Sequence, residues 1–288
     1  MRILILGGDG MLGHQLLKQF GGRYEARVTL HQRAGAYRNC GLFNEQTSYF
    51  DVDIRSQDRI LEVMADFRPE AVINAVGIVK QRPSAKERIP SLEINSLLPH
   101  RLAVMCRAAG ARLVHVSTDC VFSGRKGGYT EDDPSDAEDL YGKSKYLGEV
   151  GDAGCVTLRT SIIGRELSRK RSLIEWFLAQ RGPINGFTRA IYSGLTTIEL
   201  GRVIESLLVQ HPGIWGLYHV SSEPISKFDL LVLLKNRLDL SVEIRPDDGF
   251  VCDRSLDSSR FRRELDYRPP SWPEMIDELA RSIEGEGK

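Results

Sequence analysis

The sequence predicts an α/β fold in which a doubly wound parallel sheet is followed by a smaller C-terminal lobe. Short apolar strands alternate with helical segments through the first half of the chain, as parallel βαβ units require. A glycine-rich turn follows the first strand, and the alternation weakens after about Gly164. The chain has 288 residues, which suits one large domain or two interleaved ones. We therefore expect a first domain at 1–163, rejoined by a strand near 214–222, and a second at 164–288.

The first half supplies the elements of the sheet in turn. Short apolar runs, typical of strands buried on both faces, predict strands at 2–6, 26–32, 70–77, 111–118 and 155–164. Helical spacing predicts helices within 7–20, 56–69, 95–110 and 140–151. For the second half we expect a helix at 173–182, a loop and helix at 191–210, a strand at 216–222 and two short helices in the tail.

The composition excludes several classes of protein. Lys and Arg total 39, and Asp and Glu total 39, so no electrostatic case exists for a nucleic-acid or anionic-membrane partner. No apolar run reaches the roughly 20 residues of a membrane-spanning helix, and the N-terminus lacks a signal-peptide pattern. The five cysteines are scattered, which predicts neither a metal site nor a disulfide framework. We expect a cytoplasmic protein, and a homodimer is compatible with the sequence.

The turn after the first strand has the spacing of a dinucleotide-binding motif. Gly7, Gly10 and Gly13 form GxxGxxG between an apolar strand and a helix. In such a turn the first glycine allows the tight bend, the second lets backbone approach a pyrophosphate, and the third lets the helix pack on the sheet. The phosphates bind at the N-terminus of the helix. The alternative is a tight turn without a ligand, but its place in the first βα unit favours the Rossmann-type site.

The residues at the end of the second strand indicate whether the site prefers NAD(H) or NADP(H). NAD sites usually carry an acidic residue about 20 residues after the glycines, and the segment LHQRAG has none. Arg33 is available for a 2′-phosphate, so we expect NADPH, with NADH as the alternative. The competing interpretation is that His31 and Arg33 are solvated loop residues. Further on, Asp53 is placed to accept from an adenine amino group and Ile54 to cover the ring, unless both belong to a solvated turn.

Two later strand ends carry small or hydroxyl side chains. Ala75 and Val76, in NAVG, would let backbone lie against a nicotinamide ribose, although close packing explains them almost as well. Thr118 ends the fourth predicted sheet strand, directly after Ser117. Ligands of open α/β sheets bind beyond the carboxyl ends of the strands. Thr118 is therefore placed to meet a substrate oxygen, the alternative being a hydroxyl that caps a turn.

Tyr141 and Lys145 stand four residues apart in LYGKSKYLGE, on one face of a predicted helix. An ammonium close to a phenol favours the phenolate and lowers the Tyr pKa from about 10. Such a Tyr delivers a proton to a carbonyl oxygen, and the Lys also holds a ribose. A solvated helical pair is the usual interpretation of YxxxK by itself. The glycine turn and the strand-end hydroxyls upstream favour catalysis.

Together these segments resemble the extended short-chain dehydrogenase/reductase superfamily, and within it the dTDP-4-dehydrorhamnose reductase (RmlD-like) family. The resemblance covers nearly the whole chain and rests on GGDGMLG, VINAVG, EINSLLPHRLA, VSTDCVFSGRKGGYTEDD, YGKSK and LRTSIIG. It implies a catalytic triad of Thr118, Tyr141 and Lys145. It also implies that the cofactor contacts Gly7, Gly10, Met11, Leu12, Asp53, Ile54, Ala75 and Val76, besides Tyr141, Lys145 and the Arg33 proposed above.

This resemblance implies NAD(P)H-dependent reduction of the 4-keto group of a nucleotide-activated 6-deoxy sugar, for cell-surface polysaccharides. Departures fall near the expected substrate side: Cys120 stands where the family usually has Tyr, and Ile162 where it often has an aromatic. The basic loop RELSRKRS either binds a diphosphate through Arg165, Arg169, Lys170 and Arg171 or is solvated. Two alternatives remain: a nucleotide-sugar epimerase or dehydratase, and a non-catalytic regulatory subunit like the β subunit of methionine adenosyltransferase.

Overall fold

The computed structural model describes residues 1–79, 87–168 and 170–286. The chain forms two compact units, each built from separate segments. Unit 1 comprises Met1–Ser117, Glu138–Leu158 and Gly201–Leu217, and unit 2 comprises Thr118–Ala137, Arg159–Leu200 and Tyr218–Lys288. The sequence predicts a different division, into a cofactor-binding domain up to residue 163 and a substrate-binding lobe after it. This functional division stays a prediction.

The helices and strands of the described residues follow one another along the chain. The strands are β1 Arg2–Leu6, β2 Glu25–Thr29, β3 Ser48–Tyr49, β4 Ala71–Asn74, β5 Arg112–Val116, β6 Cys155–Arg159, β7 Ile162–Ile163, β8 Ile184–Phe187, β9 Ala190–Tyr192, β10 Leu195–Thr196, β11 Gly216–His219, β12 Ile225–Ser226, β13 Ile244–Asp247 and β14 Cys252–Asp253. The helices are α1 Met11–Phe20, α2 Gln57–Phe67, α3 Arg88–Ser91, α4 Leu98–Ala109, α5 Leu140–Tyr146, α6 Leu173–Leu178, α7 Thr197–Val209, α8 Lys227–Arg237, α9 Ser259–Glu264 and α10 Trp272–Glu286.

The main sheet of the described chain has seven strands in the order β11-β6-β5-β4-β1-β2-β3. Every pairing from β6 to β3 is parallel. The chain leaves β1 toward β2 and β3, then returns to the other side of β1 with β4. This reversal makes the crevice between β1 and β4 the topological switch point, where open α/β sheets bind ligands. The doubly wound α/β fold is confirmed.

Local chemistry accounts for the ends of the sheet helices. Ser56 caps α2 by accepting from the N–H of Arg59 at 3.3 Å, which satisfies one of the free donors of the first turn. Gly110 ends α4 in the left-handed conformation, with φ of 67°, as a helix C-terminus favours. The apolar faces of these helices pack on the sheet in a core that includes Leu4, Met64 and Leu102. The positions of the strand ends are thereby held rigidly.

Unit 2 contains short strands in place of a large sheet. They pair as β10-β7, β12-β9-β14 and β13-β8. Phe122 and Tyr129 stack with ring centroids 4.1 Å apart in a small core with Val121 and Leu256. The sequence pattern predicts a loop before the helix within 191–210, and this prediction is wrong because β9 and β10 lie there. It also assigns no element to 227–237, which form α8.

No helix in the described parts of the chain combines the length and the apolar character that membrane crossing requires. Within the same residues, no cluster of three or more His, Cys, Asp or Glu side chains has the geometry of a metal site.

Candidate functional site

The turn between β1 and α1 is so tight that glycine is needed at two of its positions. Gly7 has φ of +86°, and a Cβ there would lie 2.9 Å from Val76 Cγ2. A Cβ at Gly13 would lie 2.1 Å from the carbonyl oxygen of Gly7. The N–H of Gly10 donates to that same oxygen at 3.0 Å. The turn therefore presents bare backbone beside the switch point, as close approach of a pyrophosphate requires.

Helix α1 begins at Met11 directly after this turn. Among the described residues no side chain caps its N-terminus, because the N-cap residue is Gly10. Uncapped N–H groups and the helix dipole form an anion site at the start of a helix. Leu12 is buried against the sheet, so it contributes backbone there. The residues present fit the pyrophosphate of a dinucleotide, and the predicted contacts of Met11 and Leu12 stay predictions.

The end of β2 supports the same turn through a residue that sequence reasoning missed. The hydroxyl of Thr29 accepts a hydrogen bond from the N–H of Gly7 at 3.2 Å. Beyond it, Arg33 is 88% exposed, and its Nε lies 3.7 Å from a carboxylate oxygen of Asp51. An exposed ion pair of this kind stabilises the fold very little. Arg33 therefore has the freedom to turn toward an anion, although its predicted role is not tested by this geometry.

Asp53 and Ile54 follow the short strand β3. The Asp53 carboxylate is held by the guanidinium of Arg55, with Nη2 to Oδ2 at 2.7 Å, and this hydrogen bond lowers the pKa of Asp53. Asp53 is therefore an anion at neutral pH and already accepts from Arg55. Ile54 is partly buried against the core of the sheet. The contacts of both residues with an adenine stay predictions.

The segment after β4 is fixed to the neighbouring helices by one buried side chain. The amide oxygen of Asn95 accepts from the N–H of Ile78 at 2.9 Å, and its Nδ2 donates to the Ile78 carbonyl at 3.1 Å. Asn95 lies in a π-helical segment, Leu92–Leu97, a feature frequent at functional sites. Ala75 and Val76 are half-buried in the segment that Asn95 holds. The motif EINSLL contains Asn95, but its spacing does not reveal this contact.

Helix α5 carries the predicted Tyr and Lys. It starts at a true cap, because the Asp139 side chain accepts from the N–H of Gly142 at 2.8 Å. Tyr141 lies half-buried in the first turn and Lys145 is buried in the last. The Nζ atom of Lys145 donates to the carbonyl oxygen of Val116 at 2.7 Å. Val116 is the last residue of β5, so the ammonium lies at the carboxyl end of the sheet.

Burial controls the charge of this lysine. Removal from water lowers the pKa of Lys145 to about 8, while the negative charge of Glu149 acts in the opposite direction. At neutral pH the side chain is therefore still mostly an ammonium. The Nδ1 atom of His115, on β5, accepts a hydrogen bond from Nδ2 of Asn74 at 3.1 Å. Burial holds the pKa of His115 well below its usual range, so it adds no positive charge beside Lys145.

Thr118 is assigned to unit 2 and follows Ser117, the last residue of the first segment of unit 1. Its hydroxyl accepts from the N–H of Cys120 at 3.1 Å and donates to a carboxylate oxygen of Asp119 at 3.1 Å. Burial raises the pKa of Asp119 and raises that of the Cys120 thiol to about 12. Because the Thr118 hydroxyl already donates its proton to Asp119, it can donate to a substrate oxygen only after this hydrogen bond breaks.

The basic loop is held by two acidic side chains, one in the loop and one on α6. The guanidinium of Arg165 donates to the buried Glu175 carboxylate at 2.6 Å, and Glu166 accepts from the N–H groups of Arg171 and Ser172 at 2.6 and 2.8 Å. Arg169 lies outside the described residues. Diphosphate binding by this loop stays a prediction.

The switch-point glycine turn and the lysine at the end of β5 are features of a dinucleotide-binding α/β protein of the short-chain dehydrogenase/reductase class. The chain belongs to the RmlD substrate binding domain family, whose model matches residues 1–249. The family resemblance on which the sequence analysis relied is confirmed.

The curated relatives share about a quarter of their residues with this chain. The spore coat polysaccharide biosynthesis protein SpsK of Bacillus subtilis is 26% identical over 291 residues, 96% of each chain. A dTDP-4-dehydrorhamnose reductase of Aggregatibacter actinomycetemcomitans is 27% identical over 246 residues, 81% of this chain and 78% of its own. The methionine adenosyltransferase 2 subunit beta of Xenopus laevis is 23% identical over 314 residues, 97% and 90%.

Solved structures share the fold. A dTDP-4-dehydrorhamnose reductase from Bacillus anthracis in complex with NADP has a TM-score of 0.80 at 23% identity, covering 98% of this chain and 99% of its own. A UDP-glucose 4-epimerase from Thermotoga maritima with UDP-glucose has a TM-score of 0.81 at 16% identity, with both chains fully covered. At these identities the likeness extends to the fold alone.

Proposed function

We propose that this protein is an NADPH-dependent reductase of the 4-keto group of a nucleotide-activated 6-deoxy sugar. The observation that carries the proposal is the position of Lys145. It is a buried ammonium bonded to the end of β5, one helical turn after Tyr141, in a unit whose glycine turn fits a dinucleotide. Structural lysines are rarely buried, and perturbed titrating groups cluster at functional sites.

The residues divide the chemistry among them. A reduced dinucleotide held by its pyrophosphate at the glycine turn would supply the hydride that a carbonyl carbon accepts. Tyr141 delivers a proton to the carbonyl oxygen, and Lys145 stabilises the resulting phenolate by its positive charge. Lys145 also donates to the cofactor ribose, and Val116 holds its side chain for this purpose. Thr118 holds the substrate oxygen once its hydroxyl turns away from Asp119.

The family and the relatives support the class of substrate. A dTDP-4-dehydrorhamnose reductase and a polysaccharide biosynthesis protein are among them, so a nucleotide-linked keto sugar is the substrate we propose. The exposed guanidinium of Arg33, which is available to a 2′-phosphate, supports a preference for NADPH over NADH. The predicted cytoplasmic location and the homodimer stay predictions.

A regulatory subunit is the second candidate, because the methionine adenosyltransferase 2 subunit beta matches nearly the whole chain. A subunit without catalysis has no need to bury a lysine beside a tyrosine. The complete set of Thr118, Tyr141 and Lys145 therefore favours the enzyme. An epimerase has only the fold-level likeness in its favour.

The proposal is tested by oxidation of NADPH with a panel of dTDP-, UDP- and GDP-linked 4-keto-6-deoxy sugars, followed by the loss of reduced-nicotinamide absorbance. We expect turnover with one nucleotide. The control is the same panel with Lys145→Met, which removes the ammonium. NADPH binding without turnover on every sugar would contradict the reductase, and co-purification with an adenosyltransferase would then favour the regulatory role.

A further inference from the structure

Glu149 contacts the same strand end as Lys145. Beyond α5 the chain tightens, because the N–H groups of Gly148 and Glu149 donate to carbonyl oxygens three residues back at 3.1 and 3.2 Å. Such a 3₁₀-type turn is common at the end of an α-helix. It brings Glu149 beside β5, where its Oε1 accepts from the hydroxyl of Ser117 at 2.7 Å. The Ser117 side chain is buried and Glu149 is half-buried, so this charge-assisted hydrogen bond is partly shielded from water.

Two consecutive residues at the end of β5 therefore hold a cation from α5 and an anion from the turn that follows α5. Val116 accepts from Lys145 and Ser117 donates to Glu149. The backbone between Lys145 and Glu149 is packed closely as well, since a Cβ at Gly148 would lie only 1.9 Å from the carbonyl oxygen of Asn95. The position of Glu149 is thus set by the fold and does not depend on its own side chain alone.

The charges around Lys145 make Glu149 its counter-ion. On β5, His115 is neutral because burial holds its pKa well below the usual range. On α4, the Nε2 atom of His100 lies 2.8 Å from the carbonyl oxygen of Leu147. On α5 itself, Tyr141 is neutral until it gives up its proton. Glu149 is the group whose charge favours the ammonium of Lys145 against burial.

We propose that Glu149 is a positioning residue that keeps Lys145 protonated and seated on the end of β5. The inference rests on the proposed function only for the role of Lys145 in catalysis. Without the charge of Glu149, Lys145 loses its proton nearer to neutral pH. The phenol of Tyr141 then loses its cation, and the hydrogen bond to the ribose loses its positive charge.

The test measures Lys145 directly, in the protein without substrate. Lysines are labelled with ¹³C at Cε and titrated by NMR, and the signal of Lys145 is assigned from its loss in Lys145→Arg. In Glu149→Gln the amide oxygen still accepts from Ser117, so only the charge is removed. We expect the Lys145 midpoint to fall by about 1 pH unit, the lower end of the effect of a close opposite charge. The alkaline limit of NADPH binding should fall with it.

Ser117→Ala is the matched control, because it removes the hydrogen bond and keeps the charge, and its Lys145 midpoint should stay near that of the wild type. An equal midpoint in Glu149→Gln and wild type would overturn the proposal, as would an equal shift in Ser117→Ala and Glu149→Gln. Glu149→Ala is the second charge-removing variant should Glu149→Gln not fold. A chain inactive on every sugar leaves this titration intact, so the two proposals fail separately.

Discussion

Asn95 donates a hydrogen bond to the Ser144 hydroxyl at 3.1 Å while it also bonds both backbone groups of Ile78. One side chain that is 1% exposed thereby joins the segment after β4 to helix α5. The residues expected beside a nicotinamide ribose and the residues expected to do proton chemistry are held by the same amide. Buried networks of this kind rigidify a site only when every member is satisfied.

Replacement of this amide should therefore be costly. Asn95→Leu keeps the volume but leaves the two groups of Ile78 without partners, and each buried unpaired group costs about 1–3 kcal/mol. We expect the free energy of unfolding to fall by about 2–5 kcal/mol, measured by urea denaturation. Asn185→Leu is the control, because Asn185 is exposed and surface changes are nearly neutral. Equal losses in the two variants would contradict the assignment.

Removal of one phenol should separate catalysis from binding. Tyr141→Phe should lower kcat by about 10²–10⁴, the usual range for a general acid, with NADPH affinity nearly unchanged. The comparison is Tyr146→Phe, since Tyr146 lies on the same helix and is 44% exposed. It should turn over like the wild type. Full activity in Tyr141→Phe would refute the role of Tyr141.

The buried ammonium should make stability depend on pH. The pKa of Lys145 is about 8 in the folded protein, below its ordinary value of 10.5, so between these values the unfolded chain binds more protons. The free energy of unfolding therefore rises with pH between about 8 and 10.5, and this gain is lost as the pH falls back through 8. The rise should be about 2–3 kcal/mol between about pH 7 and 10, measured by denaturation at each pH. Lys145→Met should lack it, and an identical pH dependence in both proteins would count against the buried charge.

The choice of dinucleotide should depend on Arg33. Arg33→Ala should weaken NADPH binding about tenfold or more, the value of one charge-assisted hydrogen bond, and leave NADH binding unchanged. Isothermal titration with both cofactors measures this. Arg59→Ala is the control, because Arg59 is likewise exposed and pairs with Glu62 on α2. A parallel loss of both cofactors in Arg33→Ala would show that the guanidinium does not recognise the 2′-phosphate.

The sheet and its glycine turn could be predicted because their signals are local. A buried parallel strand is an uninterrupted apolar run, and GxxGxxG requires only adjacent residues. The spacing of Tyr141 and Lys145 on one helix face is a local signal of the same kind, but the bond of Lys145 to the end of β5 was not predicted. The contacts of Glu149 and Asn95 could not be predicted, since each joins residues far apart in sequence through side chains that also occur on surfaces.

Unit 2 was harder to predict for a different reason. Strands β9 and β10 have three and two residues, too few to show a period, and they exist because distant strands pair with them. Helix α8 was missed because LLVLL is apolar throughout, so no polar face reveals the helical period. Its start does carry a signal, as Ser226 caps the N–H of Asp229 at 3.0 Å.

The discontinuity of unit 1 has a consequence for its synthesis. Half-buried Arg112, on β5, donates to the carbonyl oxygens of Leu207 and Ile214, about a hundred residues later in the chain. The sheet around β5 thus stays incomplete on the ribosome until residues 201–217 have emerged. A nascent chain released earlier would expose the unpaired edge of β6, a surface that invites association with other chains. Premature termination between residues 163 and 201 should therefore yield aggregates and not a small folded enzyme core.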